Sequence, residues 1–130
     1  MDLRSNIVSS SENQIGDAYK YASSGPNSYD CSGLVKYVFG ENGISIAGSS
    51  KSMSRLGPSI DLKEAQPGDL IFFAKKGKVF HVSIITSNTS NELVVVHSTS
   101  SRGVVQQEIL SSSYWQPKMY KIISLESLLN

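Results

Sequence analysis

Apolar residues recur at helical spacing near the start of the chain. Four of them repeat every three or four positions behind Ser11, a residue type that often caps helices. They are Ile15, Ala18, Tyr19 and Ala22. The stretch 23–28 reads Ser-Ser-Gly-Pro-Asn-Ser and consists of turn-forming residues. The pattern therefore predicts a first helix that begins at Ser11 and ends before this turn.

A second helix is predicted to begin near Cys31. Its apolar residues form one broad face, and Gly40 and Gly43 offer stop signals. That face comprises Leu34, Val35, Val38 and Phe39. A short third helix is predicted over Ser50–Leu56, because Gly57 and Pro58 follow it.

After Pro67 and Gly68 the pattern changes to short apolar runs rich in β-branched residues, which predict strands. The runs are Leu70–Phe73, Val79–Thr86, Leu93–His97, Val104–Ile109 and Met119–Ile123. The basic segment 75–78 joins the first two as a hairpin turn, and we interpret its lysines as solvated. Because helices come first and strands second, we expect an α+β domain with an antiparallel sheet.

Composition and charge exclude several classes of protein. A chain of 130 residues with 39% hydrophobic and 18% charged residues is typical of one globular domain. Its net charge of +1 argues against a nucleic-acid partner. No segment approaches the roughly 20 apolar residues of a membrane span. Residues 1–6 lack the apolar core of a secretory signal peptide.

Cys31 is the first candidate for chemistry. As the single cysteine, it excludes an internal disulfide and a multi-cysteine zinc site. At the start of a helix, unpaired N–H groups and the helix dipole favour the thiolate, so we expect a lowered pKa. The same N–H groups can hold a developing oxyanion. The alternative is that Cys31 is only a small buried hydrophobic residue.

The two histidines, His81 and His97, both lie in predicted strands. If these strands are neighbours, both imidazoles can lie on the sheet face where the Cys31 helix packs. That would supply a nucleophile, a base and a third group that orients the base. For each histidine taken alone, the sequence favours a core residue that hydrogen-bonds a backbone carbonyl.

Other chemistries have weaker support in the sequence. Cys31, the two histidines and Met119 match the ligand types of a copper site, but no two of them lie within a few residues. The strand half, 70–123, holds only Glu92 and Glu108 as carboxylates, too few to favour glycosidase chemistry. The glycines form no phosphate-binding loop. We therefore expect neither a metal nor another cofactor.

Four sequence blocks occur in an order that resembles a known family. They are Asp-Cys-Ser-Gly-Leu-Val at 30–35, Pro-Gly-Asp-Leu-Ile-Phe-Phe at 67–73, His-Val-Ser-Ile at 81–84 and His-Ser-Thr-Ser-Ser-Arg-Gly-Val at 97–104. The pattern resembles the NlpC-type family of cell-wall cysteine peptidases. The resemblance implies a papain-like α+β fold, with N-terminal helices on an antiparallel sheet. It also implies one catalytic domain over 1–130, with a core of about 11–124.

The resemblance implies roles for three residues: Cys31 as nucleophile, His81 as general base and His97 as the residue that orients it. It implies cleavage of peptidoglycan stem peptides between γ-D-glutamate and the diamino acid, by a secreted or wall-associated enzyme. Two alternatives have the same fold: an amidase or acyltransferase on another substrate, and an inactive binding module. The diamino acid, and any inhibitor or immunity partner, stay open.

The resemblance also implies a substrate pocket near Cys31. Tyr19, on the helix before the cysteine turn, would lie near the thiol, while Asp30 and Ser32 would receive the free amine end of a stem peptide. The sequence departs from the family pattern in two places. Residues 21–25 replace a segment rich in Trp and Gly, and Ser83 replaces the usual glycine after His-Val.

Overall fold

The second half of the chain forms a five-stranded antiparallel sheet in the computed structural model, which describes residues 2–129. Its strands are β3 (Leu70–Lys75), β4 (Lys78–Asn88), β5 (Leu93–Thr99), β6 (Gly103–Glu108) and β7 (Met119–Ile123), after a small parallel pair of β1 (Ala18–Tyr19) and β2 (Ser28–Tyr29). The sheet order is β6-β5-β4-β3-β7. All five predicted strands and the β3–β4 hairpin are confirmed. Lys76 and Gly77 form the hairpin turn with φ of 50° and 77°.

The first helix is not where the sequence pattern predicts it. Helix α1 spans Leu3–Glu12, and the Asp2 side chain caps it by accepting the Ser5 N–H at 2.8 Å. Ser11 lies in its last turn, where its hydroxyl donates to the Val8 carbonyl. The predicted helix from Ser11 is wrong because the chain reverses at Gly16, whose φ is 98°, and then enters β1.

The predicted helix at Cys31 is confirmed as α2, Cys31–Glu41, with the predicted apolar face buried. Asp30 caps it by accepting the Gly33 N–H at 2.6 Å. A side chain at Gly33 would place Cβ 1.9 Å from the Ser23 carbonyl oxygen, so only glycine lets the preceding loop lie against the helix start. Helix α3 spans Ser50–Met53 and is shorter than predicted.

Each face of the sheet has its own apolar cluster. Val82, Ile84 and Val96 pack with α2 on one face. The opposite face holds a second cluster: Ile71, Phe73, Ile85, Leu93, Val95, Ile109, Trp115 and Ile122. Because side chains alternate along a strand, His81 and His97 belong to this second face. The expectation that they share the α2 face is therefore wrong.

A buried carboxylate holds the two ends of the described chain together. Asp69, only 1% exposed, accepts hydrogen bonds from Arg4 at 2.7 Å and from the Leu125 N–H at 2.8 Å. Arg4 also pairs with Glu126 at 2.7 Å. Ile7 of α1 is fully buried in the α2-side cluster, so α1 is part of the core. None of the helices within residues 2–129 is long and apolar enough to span a bilayer.

Candidate active site

Cys31 and His81 line one cavity of about 560 Å³. Cys31 comes from the first turn of α2, and His81 comes from β4 near its start. Trp115 and the β5–β6 turn around Arg102 supply other parts of the wall. Although α2 packs on the other face of the sheet, its N-terminus brings the thiol beside the backbone of Val82, the residue after His81. The fold thus brings together residues distant in sequence.

The Cys31 thiol is half-buried, and its pKa differs from the sequence expectation. Burial raises the pKa of Cys31, although backbone N–H groups of Val82, Ser32 and Cys31 itself act in the opposite direction. The expected lowering by the helix start is therefore wrong, because desolvation outweighs these N–H groups. In the resting protein at neutral pH, Cys31 is a thiol. It needs a neighbouring base to become nucleophilic.

A chain of hydrogen bonds connects His81 to a residue that the sequence analysis missed. Nε2 of His81 lies 2.9 Å from Nδ1 of His97, and Nε2 of His97 lies 3.0 Å from Oε1 of Gln107. A carbonyl oxygen only accepts, so His97 carries its proton on Nε2 and accepts from His81 at Nδ1. His81 then carries its proton on Nε2. Its Nδ1 is left unprotonated and able to act as a base.

Ser83 also contacts this chain. Its hydroxyl lies 2.8 Å from Nδ1 of His97, and its side chain is fully buried. When Nδ1 accepts from His81, the Ser83 hydroxyl donates to the same nitrogen. Ser83, which departs from the pattern that the sequence otherwise resembles, therefore belongs to the hydrogen-bond network behind the cavity.

An aromatic cluster shields the imidazole pair from water. The Trp115 ring centroid lies 4.5 Å from that of His81 and 5.1 Å from that of His97. Phe80 stacks on Trp115 with an interplanar angle of 10°. Burial, and next His97 itself, hold the pKa of His81 well below its usual value of 6.5. Burial lowers the pKa of His97 to about 4, against the opposing effect of its hydrogen bond to Gln107. Both rings are neutral at pH 7.

The three predicted pocket residues occupy different places. Tyr19 lines the cavity, but from β1 rather than from a helix. Burial and the nearby Cys31 sulfur raise the pKa of its phenol. Asp30 and Ser32 line a smaller neighbouring cavity of about 260 Å³. Asp30 Oδ1 caps α2 and also accepts from the Ser32 hydroxyl at 3.3 Å.

The residues considered for a copper site do not converge. Met119 faces Phe73 in the β3–β7 pairing and is not in the wall of the Cys31 cavity. Within residues 2–129 no group of three or more His, Cys, Asp or Glu side chains is arranged to hold a metal ion.

The residues that sequence reasoning missed are Gln107, Ser83, Trp115 and Lys75. A weak signal existed for Trp115 as the single tryptophan of the chain. The sequence pattern predicts that Lys75 lies in a solvated turn, but its Nζ lies 4.5 Å from the Phe80 ring centroid at the cavity wall. The turn itself is exposed as predicted. Only its first lysine reaches the site.

Acidification is expected to destabilise the fold between pH 6.5 and about 4 because of His97. The unfolded chain protonates His97 near 6.5, whereas the folded state resists protonation down to about 4. The contribution of His97 to the free energy of unfolding is therefore fully present above pH 6.5. It falls with decreasing pH by up to about 1.4 kcal/mol per unit for this group, about 3 kcal/mol in all.

Urea unfolding at pH 7, 6, 5 and 4.5 measures this loss. The variant His97→Gln removes the titrating group and should give a shallower dependence on pH, with the remainder due to His81. An equally steep dependence in the variant would contradict the assignment to His97.

Comparisons with known proteins agree on one family. The sequence matches the model of the NlpC/P60 family over residues 16–124. Gamma-DL-glutamyl hydrolase of Bacillus subtilis (strain 168) is 34% identical over 110 residues, which are 84% of this chain and 27% of that protein. Probable endopeptidase p60 of Listeria seeligeri is 36% identical over 82 residues, 63% of this chain and 16% of that protein.

A solved structure supports the same grouping. An NlpC/P60 family protein from Bacillus cereus ATCC 10987 superposes with a TM-score of 0.84 and 26% sequence identity. The match covers 93% of this chain and 39% of that chain. The chain thus spans about a quarter or less of the length of the two relatives compared by sequence. The predicted papain-like α+β class is confirmed by this neighbour and by the sheet described above.

Proposed function

The chain belongs to the NlpC/P60 family, and on that premise we propose that it is a thiol endopeptidase that cleaves γ-D-glutamyl bonds in peptidoglycan stem peptides. The observation that carries the proposal is the cavity shared by Cys31 and His81, with His97 hydrogen-bonded behind His81 at 2.9 Å. The relatives named endopeptidase p60 and gamma-DL-glutamyl hydrolase support a hydrolase of this bond type. Its place of action would be the cell wall.

In the proposed reaction, Nδ1 of His81 takes the Cys31 proton while the sulfur attacks the γ-carbonyl carbon of glutamate. Of the backbone N–H groups near the sulfur, those of Cys31 and Ser32 at the helix start would stabilise the tetrahedral oxyanion. The C–N bond then breaks, and the imidazolium returns its proton to the amine that leaves. A thioester remains on Cys31. Water attacks the thioester with His81 as base, releasing the γ-carboxylate and restoring the thiol.

The neutral resting state suits this general-base route. A thiol and a neutral imidazole carry no net charge, so the buried pair costs little before substrate arrives. His97 would keep the base in its working tautomer, and it stays neutral because its pKa is about 4. In this scheme His97 accepts a hydrogen bond from His81 and stays uncharged throughout the reaction. Its own acceptor geometry depends on Gln107.

Mass spectrometry of peptidoglycan fragments tests the proposed function. After incubation with purified sacculi in water enriched in ¹⁸O, we expect fragments that end in γ-D-glutamate with one ¹⁸O in the new carboxylate. The matched Cys31→Ala protein should release none. Intact stems in both samples would contradict the proposal. A further sample contains an added amine. Transfer of the glutamyl group to that amine, with no ¹⁸O product, would favour the acyltransferase alternative.

Replacing Gln107 by leucine is expected to lower kcat about tenfold with little change in KM. The buried Nε2–H of His97 would lose its acceptor, which costs about 1–3 kcal/mol in the working tautomer and favours the other one. In that other tautomer Nδ1 of His97 donates the hydrogen bond, so Nε2 of His81 must accept it. The proton of His81 then lies on its own Nδ1, so this nitrogen can no longer accept the proton of Cys31.

Nitrogen-15 NMR of the two imidazoles reads the tautomers directly, because the chain has only two histidines. In the wild type we expect protonated Nε2 and unprotonated Nδ1 on both rings. Gln107→Glu keeps an oxygen acceptor, so it should keep the wild-type tautomers and more activity than Gln107→Leu. Wild-type tautomers and kcat in the leucine variant would show that Gln107 does not position this pair.

A further inference from the structure

Ser83 places a hydroxyl on the same nitrogen of His97 that accepts from His81. Its Oγ lies 2.8 Å from Nδ1 of His97, and Nε2 of His81 lies 2.9 Å from that nitrogen. In the β4–β5 register, Ile84 pairs with Val96. The next position in that register therefore places Ser83 beside His97. Two hydrogen-bond donors thus converge on one acceptor.

The Ser83 hydroxyl has no other hydrogen-bond partner within residues 2–129. Its side chain is fully buried, and the fully buried Ile71 lies directly opposite on β3. Ile85, on the same face of β4, is also fully buried. Because a buried donor without an acceptor is strongly unfavourable, the hydroxyl must donate to Nδ1 of His97.

Gln107, at the other end of the His97 ring, suits either tautomer of that ring. In the structure its Oε1 lies 3.0 Å from Nε2 of His97 and accepts the Nε2–H. An amide that turns over offers its NH2 group at the same place, where it would donate to an unprotonated Nε2. Ser83 has no such freedom, because an oxygen that accepted from Nδ1–H would leave its own hydrogen without an acceptor. Of the two contacts, only that of Ser83 therefore distinguishes the tautomers.

We propose that Ser83 is a positioning residue that keeps Nδ1 of His97 unprotonated, and thereby keeps Nδ1 of His81 free to take the thiol proton. The inference rests on the proposed function and adds to it a residue behind the site. With Nδ1 of His97 held as an acceptor, His81 carries its proton on Nε2. In the opposite arrangement that proton lies on Nδ1 of His81, and the thiol has no base. Ser83 does not line the cavity and acts only through the two imidazoles.

Nitrogen-15 NMR and kinetics of Ser83→Ala in the whole protein test the proposal. Alanine removes the hydroxyl, so we expect both tautomers on each ring where the wild type has one. If the two become equally populated, half of the molecules hold a proton on Nδ1 of His81, and kcat falls about twofold with KM unchanged. The matched control is Ser11→Ala, since Ser11 is equally buried and donates to the Val8 carbonyl at 2.7 Å. It should keep the wild-type tautomers and kcat.

A second substitution separates selection of the tautomer from packing. Ser83→Ala combined with Gln107→Glu places a carboxylate at Nε2 of His97, and a carboxylate accepts but does not donate. At pH 8, where the ring beside the new carboxylate stays neutral, we expect the double variant to regain the single wild-type tautomer and most of the lost kcat. Wild-type tautomers in Ser83→Ala, or a mixture that the second substitution leaves unchanged, would overturn the proposal.

The NMR measurement needs no substrate, so it is independent of the function on which the inference rests. A wild type that cleaves no stem peptide would overturn the proposed function, and with it the effect of Ser83 on kcat. The selection of the tautomer by Ser83 is overturned only by the spectra of the variants.

Discussion

Replacing Cys31 by alanine is expected to lower the rate of stem-peptide hydrolysis by at least about 10³-fold, because removal of a nucleophile leaves only binding and oxyanion contacts. The change deletes a single sulfur from a half-buried position at a helix start. The fold should therefore be retained. Hydrolysis of a muropeptide under single-turnover conditions measures the loss.

The matched control is Cys31→Ser, which keeps a hydroxyl in place of the thiol. A serine hydroxyl is much harder to deprotonate than a thiol, and His81 has a lowered pKa that makes it a weak base. We expect Cys31→Ser to be nearly as inactive as Cys31→Ala, with an unchanged thermal midpoint. Substantial activity in either variant would show that another group attacks the substrate.

The two histidines are expected to differ sharply when they are replaced one at a time. His81→Ala removes the base and should lower kcat by at least about 10²-fold. His97 is needed as an acceptor for the Nε2–H of His81. His97→Asn or His97→Gln should therefore keep more activity than His97→Ala, because an amide oxygen can accept the same hydrogen bond.

The measurement is kcat on one muropeptide for these single variants, with folding checked by circular dichroism. His97 is fully buried and accepts from both His81 and Ser83, so His97→Ala also leaves two donors unpaired. The amide variants separate loss of the acceptor from loss of packing. An active His81→Ala beside an inactive His97→Asn would reverse the assignment of the two roles.

The sequence predicted the sheet well because its strands carry β-branched residues in short runs between turns. It predicted α2 because the buried face, Leu34 to Phe39, repeats at helical spacing before the stop signals Gly40 and Gly43. It missed α1 because that helix buries only Ile7 and Ser11, too few apolar positions to show a period. Ile15, which suggested a later helix, is 44% exposed.

The candidate triad was predictable, but its surroundings were not. Cys31, His81 and His97 stand in blocks that resemble a family, and the fold brings them to one place. Gln107 reaches His97 because β5 and β6 pair with His97 opposite Val105, which places Gln107 two residues further on the same face. The sequence alone does not define the strand register, so it does not predict the contact between Gln107 and His97. The raised pKa of Cys31 likewise depends on burial, which only the packed structure defines.

The position of the Asp69 carboxylate determines which side of the protein suits attachment to a surface or a tag. Asp69 lies just before β3 begins. Its hydrogen bonds join Arg4, near the first described residue, to Leu125, near the last. The cavity lies at the other end of β3, beside Lys75, and six strand residues separate the two by about 20 Å. A surface or a tag attached near Arg4 or near Leu125 would therefore be tethered on the side remote from the cavity. An immobilised preparation should keep its cleft open to polymers as large as a cell wall.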